Sequence, residues 1–289
     1  MGDSRIIVGL TGWRDHVTLY EDLASSDSRL AAYSAHFPVV ELDSSFYAVP
    51  PAKNIQKWIS ETPESFQFVV KAYQGMTGHQ RGESPFSSHG EMLDAFRQAF
   101  TPMKEAGKVA HVLCQFPPWF DCQRKNVDYL KWLREELRMF DCALEFRHQS
   151  WYAPEFKAKT LQYMKEDNWI HTVCDEPQIG ERSVPFVAEA TNEKQTLIRL
   201  HGRNEQAWQT PARGESWRKI RYLYDYSEDE LKETARAAEK LAESSEQVYV
   251  MFNNNSGGHA ADNALRLISM MGLSYEGLSP KQMNLFQDD

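Results

Sequence analysis

Eight short apolar runs alternate with longer segments of helical spacing along this chain, and few folds accommodate that rhythm. The runs are Arg5–Leu10, Val39–Asp43, Phe66–Lys71, Val109–Phe116, Cys142–Arg147, Trp169–Asp175, Thr196–His201 and Gln247–Phe252. Most begin about 30 residues after their predecessor, which is room for one crossover helix. Of the intervening segments, Ser28–His36 is short, and Ala52–Ser60 follows Pro50-Pro51, a start that suits a first helical turn. Glu91–Ala106 and Lys125–Met139 repeat apolar positions every three or four residues, and Pro154–Asp167 also opens with proline. Ser227–Ser244 opens on a Ser-x-x-Glu capping box, and Ala260–Met271 closes the series. Eight strand–helix units predict an α/β chain closed as a single (β/α)8 TIM-type barrel over residues 1–274, with a mobile C-terminal tail over 275–289. Gly9-Leu10-Thr11-Gly12-Trp13 lacks the G-x-G-x-x-G spacing, so no dinucleotide site is expected after the first strand.

A net charge of −9 argues against broad electrostatic attraction to nucleic acid or anionic membrane, while leaving room for a local basic pocket. No apolar run approaches the roughly 18 residues of a membrane span. The start, Met1-Gly2-Asp3-Ser4-Arg5, has no signal-peptide pattern, and Ile6 stands where a myristoylation motif requires Ser or Thr. Cys114, Cys122, Cys142 and Cys174 show no C-x-x-C spacing, against zinc-ribbon and thioredoxin readings. The expectation is a reduced, cytoplasmic protein with no membrane partner.

Strand side chains alternate between the barrel interior and the helix layer. Setting Glu145 and Arg147 inward places Cys142, Leu144 and Phe146 against the helices. The same rule turns Glu41, Asp43, Lys71, His111, Gln115, His171, Asp175, Arg199, His201 and Asn253 inward, and Cys114 and Cys174 outward. Unpaired burial of such charges would cost several kcal/mol, so they are expected to meet as a site at the C-terminal ends of the strands. Two long connections follow strands and fall on that face. Gln74–Gly90 carries His79, Arg81 and His89, and Gly202–Tyr226 carries Arg203, Trp208, Arg213, Trp217, Arg218 and Arg221.

The motifs Gly9-Leu10-Thr11-Gly12-Trp13, Val40-Glu41-Leu42-Asp43-Ser44-Ser45-Phe46-Tyr47, Phe68-Val69-Val70-Lys71, Gln115-Phe116-Pro117, Leu144-Glu145-Phe146-Arg147-His148, Ser150-Trp151, Ile198-Arg199-Leu200-His201-Gly202-Arg203 and Phe252-Asn253-Asn254 occur in that order. The chain therefore resembles the YecE-like family, domain of unknown function 72, from about residue 6 to 271. The resemblance implies a (β/α)8 barrel and leaves the reaction open. Glu41, Lys71, Gln115, Glu145, Arg147, Asp175, Arg199 and His201 fall on the family's strand-end motifs.

Candidate catalytic groups are Glu145, His201, Asp175 and Glu41, as acid, base or nucleophile. Glu145, Asp175 and His201 lie on consecutive strands about 4.8 Å apart and could share one divalent cation. Lys71, Arg147 and Arg199 could instead neutralise the carboxylates. With Arg203, they could also hold a carboxylate or phosphate, because guanidinium forks match those oxygens. Gln115 and Asn253 would add polar contacts. Trp13, Phe46, Tyr47, Trp119 and Trp151 lie just beyond strand ends, as an aromatic rim for a base or sugar or as simple caps of the barrel. These features lead to metal-assisted phosphoester hydrolysis linked to DNA maintenance, on an anionic or nucleic-acid-derived substrate. The alternatives are a carbohydrate or acid enzyme using carboxylates without metal, and a non-catalytic binding module. In the tail, Gln282-Met283-Asn284-Leu285-Phe286 resembles the Q-L-x-L-F peptide of proteins that bind the bacterial sliding clamp. Gln282, Met283, Leu285 and Phe286 are the candidate contacts; the other reading folds Leu285 and Phe286 back onto the barrel.

Overall fold

The protein is seen in a computed structural model that describes residues 5–20, 23, 28–180, 183–209 and 220–280. Among them, eight parallel strands close in sequence order into a barrel: β1 Ile6–Thr11, β2 Val39–Leu42, β3 Gln67–Lys71, β4 Val109–Gln115, β5 Cys142–Glu145, β6 Trp169–Asp175, β7 Gln195–Leu200 and β8 Gln247–Phe252. β8 pairs back onto β1. The helices described are α1 Arg29–Tyr33, α2 Ser44–Tyr47, α3 Ala52–Ser60, α4 His89–Glu105, α5 Arg124–Glu136, α6 Lys157–Glu166, α7 Glu205–Gln209, α8 Glu228–Ala242 and α9 His259–Met271. The expected (β/α)8 barrel is the observed one. No helix among the described residues is long and apolar enough to cross a membrane.

Period-two alternation sorts the strand residues into two cores. Ile6, Val8, Leu10, Val40, Leu42, Phe68, Val70, Val112, Leu144, Ile198, Leu200, Val250 and Phe252 join the large cluster between strands and helices. Val39, Val69, Leu113, Ala143, Ile170, Leu197, Tyr249 and Met251 form a smaller cluster inside the bore. The bore is narrow. A Cβ at Gly9 would come within 2.4 Å of the Val39 carbonyl oxygen and 3.1 Å of the Met251 methyl carbon, so β1 carries glycine where the others carry side chains.

On β6 the register is the reverse of that expected. Ile170 packs inside the bore, and Cys174 is paired in register with inward-facing Arg199. His171 and Asp175 therefore face the helices. His171 is paired with outward Leu144 and Asp175 with outward Leu200. The cause is steric and chemical. Trp169 is too large for the bore and packs outside, with Arg134 over its ring at 5.8 Å. His171 finds Tyr152 Oη at 3.1 Å and the Glu189 carbonyl at 2.8 Å in the outer layer. Cys174 thus turns toward Glu145 and His201, contrary to expectation, although it also touches the helix-side core that holds Cys114 and Cys142.

The C-terminal segment also differs from the expected tail at its start. Tyr275 accepts the Val8 N–H at 2.9 Å and donates to the Ile6 carbonyl. Ser65 Oγ donates to the Gly277 carbonyl, and the Ser279 N–H to the Ser34 carbonyl. Residues 275–279 are therefore fastened across the N-terminal end of the barrel. Gln282, Met283, Leu285 and Phe286 lie outside the described residues.

Candidate functional site

At the opposite, C-terminal end the inward charges meet in one chain. Arg199 on β7 grips Glu41 on β2 with two parallel bonds, Nη2 to Oε1 at 2.6 Å and Nε to Oε2 at 2.9 Å. Its Nη1 donates to Glu145 Oε2 at 2.6 Å and to Gln115 Oε1 at 3.3 Å. Arg147, just past β5, donates from Nε to Glu145 Oε1 and from Nη1 to Glu176 Oε2, both at 2.5 Å. The second Glu176 oxygen accepts the Val184 N–H at 2.7 Å. Three carboxylates and two guanidinium groups therefore alternate as Glu41, Arg199, Glu145, Arg147, Glu176. Glu41, Glu145 and Arg199 are fully buried, and Arg147 is 9 % exposed. Beside them Lys71 pairs with Asp43 at 2.7 Å and lies over the Phe46 ring at 4.7 Å.

Electrostatics follow from this geometry. Burial pushes the Glu145 carboxyl up, but Arg147 and Arg199 outweigh it and hold the group below its ordinary range. At Glu176 burial wins over the Arg147 charge, and the value is raised. Lys71 is held above the ordinary lysine value, because Asp43 and Glu41 outweigh the opposing effects of burial and Arg199. His201 is pushed well below 6.5 by burial and then by Arg147, Arg199, Arg221 and Lys71. Its neutral ring accepts from Arg147 Nη2 at Nε2, 2.8 Å away. Nδ1 then carries the ring proton, and the Asn253 amide 2.9 Å from it suits that place with its oxygen turned inward.

Some expected site residues stand elsewhere. Asp175 accepts from Tyr226 Oη at 2.6 Å and from Arg203 Nε at 2.9 Å, in the outer layer. Arg203 is further held by Glu230 and Glu233, so it joins an outer cluster rather than the anion-holding group. Trp13 packs edge-on against Trp58 at 5.7 Å, and Trp151 is buried, stacked on Phe146 at 4.0 Å. Neither stands as a free rim. Tyr47 and Trp119 are exposed at the mouth, and the His79 ring lies edge-on between Phe46 and Trp119.

The expected metal triple loses Asp175 and is replaced geometrically by Glu145, Cys174 and His201, whose ligand atoms lie within 4.8 Å of one another. That set does not fit a divalent cation as it stands. Each Glu145 oxygen already accepts from a guanidinium, and His201 Nε2 accepts from a third N–H. Arg147 and Arg199 supply the positive charge that a metal would bring.

A cavity of about 860 Å³ opens over the ends of β4 to β7. Its walls include Gln115, Arg147, His148, Ser150, Tyr152, Trp208, Arg221 and Tyr222. The Arg221 guanidinium lies 3.6 Å from the Trp208 ring centre, which fixes its plane. Gln115 gives its oxygen to Arg199, leaving its amide N–H groups for the cavity. Glu176, Trp208, Arg221 and Tyr222 were not singled out as site residues from sequence. Glu176 lies one position beyond β6 and took the place given to Asp175; the other three sit in the connection after β7, where only its length and aromatic content were a signal.

The fold and site together define a (β/α)8 barrel protein with a polar, buried-charge centre at the C-terminal end of the strands. The chain belongs to the family described as "Protein of unknown function DUF72", whose profile it matches over residues 7–285. It is 54 % identical over 281 residues to the UPF0759 protein YunF of Bacillus subtilis (strain 168), covering 97 % of this chain and all of that protein. Its structure is similar to that of a DUF72 family protein (EF0366) of Enterococcus faecalis V583, with a TM-score of 0.89 and 38 % identity over 96 % of this chain and 100 % of that one. It is also similar to a DUF72 family protein (TM1631) of Thermotoga maritima MSB8, with a TM-score of 0.75 and 29 % identity over 93 % and 99 % of the two chains.

Proposed function

We propose that the protein is an enzyme of small anionic molecules, carboxylates or phosphate monoesters, held in the cavity over β4 to β7 and handled without a metal. The observation that carries this reading is the wall of the cavity. Two arginines, a histidine and a free amide face it, and no Asp or Glu is among its described lining residues, although the whole chain carries a net charge of −9. A donor-rich, half-enclosed wall of this kind favours planar or tetrahedral oxyanions, and the buried carboxylates behind it keep the guanidinium of Arg147 in place. Phosphoester chemistry keeps its substrate class in this reading and loses its metal.

Titration with inorganic phosphate and, separately, with succinate tests it by calorimetry and by the fluorescence of Trp208. Saturable binding of at least one anion is expected, weakened at least tenfold in Arg221→Met. A wild-type protein that binds neither removes the reading.

The tail motif Gln282-Met283-Asn284-Leu285-Phe286 favours a second role, docking on the sliding clamp. The link to DNA maintenance rests on that segment alone.

A further inference from the structure

We propose that His148 is a fixed hydrogen-bond donor of the cavity, locked by Ser150 as its Nε2–H tautomer so that this N–H meets a substrate oxygen beside Arg147. The proposal rests on the anion reading above and names one of its contacts.

His148 follows Arg147 where β5 turns into the short 3-10 turn Gln149–Tyr152, and both His148 and Ser150 line the cavity. The Ser150 backbone N–H points at His148 Nδ1 from 3.1 Å. An amide N–H only donates, so Nδ1 must present its lone pair. The Ser150 hydroxyl stands 2.7 Å from the same nitrogen, and its oxygen already accepts the Cys122 N–H at 2.8 Å. The hydroxyl proton is therefore directed at Nδ1 as well. Two donors converge on one ring nitrogen, and the single proton of a neutral imidazole is left to Nε2. That nitrogen has no protein partner among the described residues.

The neighbouring imidazoles are used differently. His171 commits both ring nitrogens, to Tyr152 and to the Glu189 carbonyl, and His201 is fully buried against Arg147 and Asn253. Capping the 3-10 turn needs only a short acceptor, such as Asn. The imidazole adds a rigid donor that reaches farther from the backbone, on a residue that lines the same cavity as Arg147. A donor held in position by its own hydrogen bonds needs little reorganisation when a charged oxygen arrives. The His148 ring thereby acts on its ligand as a neutral polarising group.

The experiment combines nitrogen NMR of the histidine rings with the phosphate and succinate titrations. His148 is assigned by comparison with His148→Asn, a variant that keeps a capping acceptor for the Ser150 N–H but lacks the far nitrogen. The expected spectrum shows an unprotonated Nδ1 and a protonated Nε2, with the Nε2–H signal shifting as the anion saturates. His148→Asn is expected to keep the wild-type melting temperature within a few degrees and to bind the anion about tenfold more weakly. An Nδ1–H tautomer, an Nε2–H signal indifferent to a bound anion, or unchanged affinity in His148→Asn overturns the proposal while leaving the anion reading intact. Failure of the wild type to bind either anion overturns both.

Discussion

Arg199 reaches from β7 to Glu41 on β2, Gln115 on β4 and Glu145 on β5, and no other side chain could make those contacts. A planar fork with five donors can serve two carboxylates at once, which a lysine cannot. Replacing it with methionine keeps much of the volume, takes from fully buried Glu41 its guanidinium partner and leaves Glu145 with Arg147 alone. Arg199→Met should therefore lose about 3–5 kcal/mol in urea unfolding, because breaking a buried pair from one side leaves uncompensated charge. A loss below about 1 kcal/mol would show that the chain of charges is not what holds this end of the barrel. The residues of this chain were legible for a simple reason. Glu41, Glu145 and Arg199 each alternate with fully apolar neighbours on a strand that is buried on both faces, so their direction was forced.

At the scale of the element, β6 shows where that reasoning stops. Trp169, His171, Val173 and Asp175 on one face, and Ile170, Thr172 and Cys174 on the other, are each a mixture of apolar and polar groups, and pattern alone favours neither. The choice was made by partners distant in sequence: Tyr226 and Arg203 for Asp175, Tyr152 for His171. A charge just past the strand, Glu176, then took the inward place. The C-terminal segment is a second such case. Its polar composition suggested a tail free from residue 275, yet Tyr275 and Ser279 find backbone partners on β1 and beside α1. The peptide Gln282–Phe286 begins three residues after Ser279. A pull-down with purified clamp should retain the intact chain and release one lacking Gln282–Asp289. Equal retention of the two would end the clamp reading.

For the whole molecule, buried imidazoles set the response to acid. Burial lowers His111 and His171 from 6.5 to about 4, and His201 well below 6.5. Between these values the unfolded chain binds more protons than the folded one, so stability falls as pH decreases. From pH 7 to pH 5 the loss should be roughly 2 kcal/mol for each of His111 and His171, roughly 4 kcal/mol for the two, with His201 acting in the same direction. The depressed carboxyl of Glu145 has the opposite reference, and its contribution is lost only at still lower pH, below its ordinary value of 4.5. Urea midpoints at pH 7 and pH 5 measure the difference, and equal midpoints would contradict the burial of these rings as neutral groups. The barrel itself was readable from the rhythm of strand and helix, because crossover connections leave few ways to close eight parallel strands. The cavity was not readable. Its wall joins His148 to Arg221 across separate connections, and that proximity is a property of the closed ring rather than of any local pattern.

A wall without Asp or Glu among its described residues, in an acidic protein, bears on ligand size if the cavity takes anions as proposed. Beyond a Debye length of about 8 Å, at physiological salt, most of the surface charge is screened from an approaching ion, and the groups lining the cavity itself, Arg147 and Arg221 among them, weigh most. A monomeric anion can place its whole charge there. A polyanion cannot, since each further phosphate would lie against a surface of its own sign, and the cost grows with every unit. If the cavity takes anions as proposed, this charge distribution would select for length, favouring a single anion over a polymer.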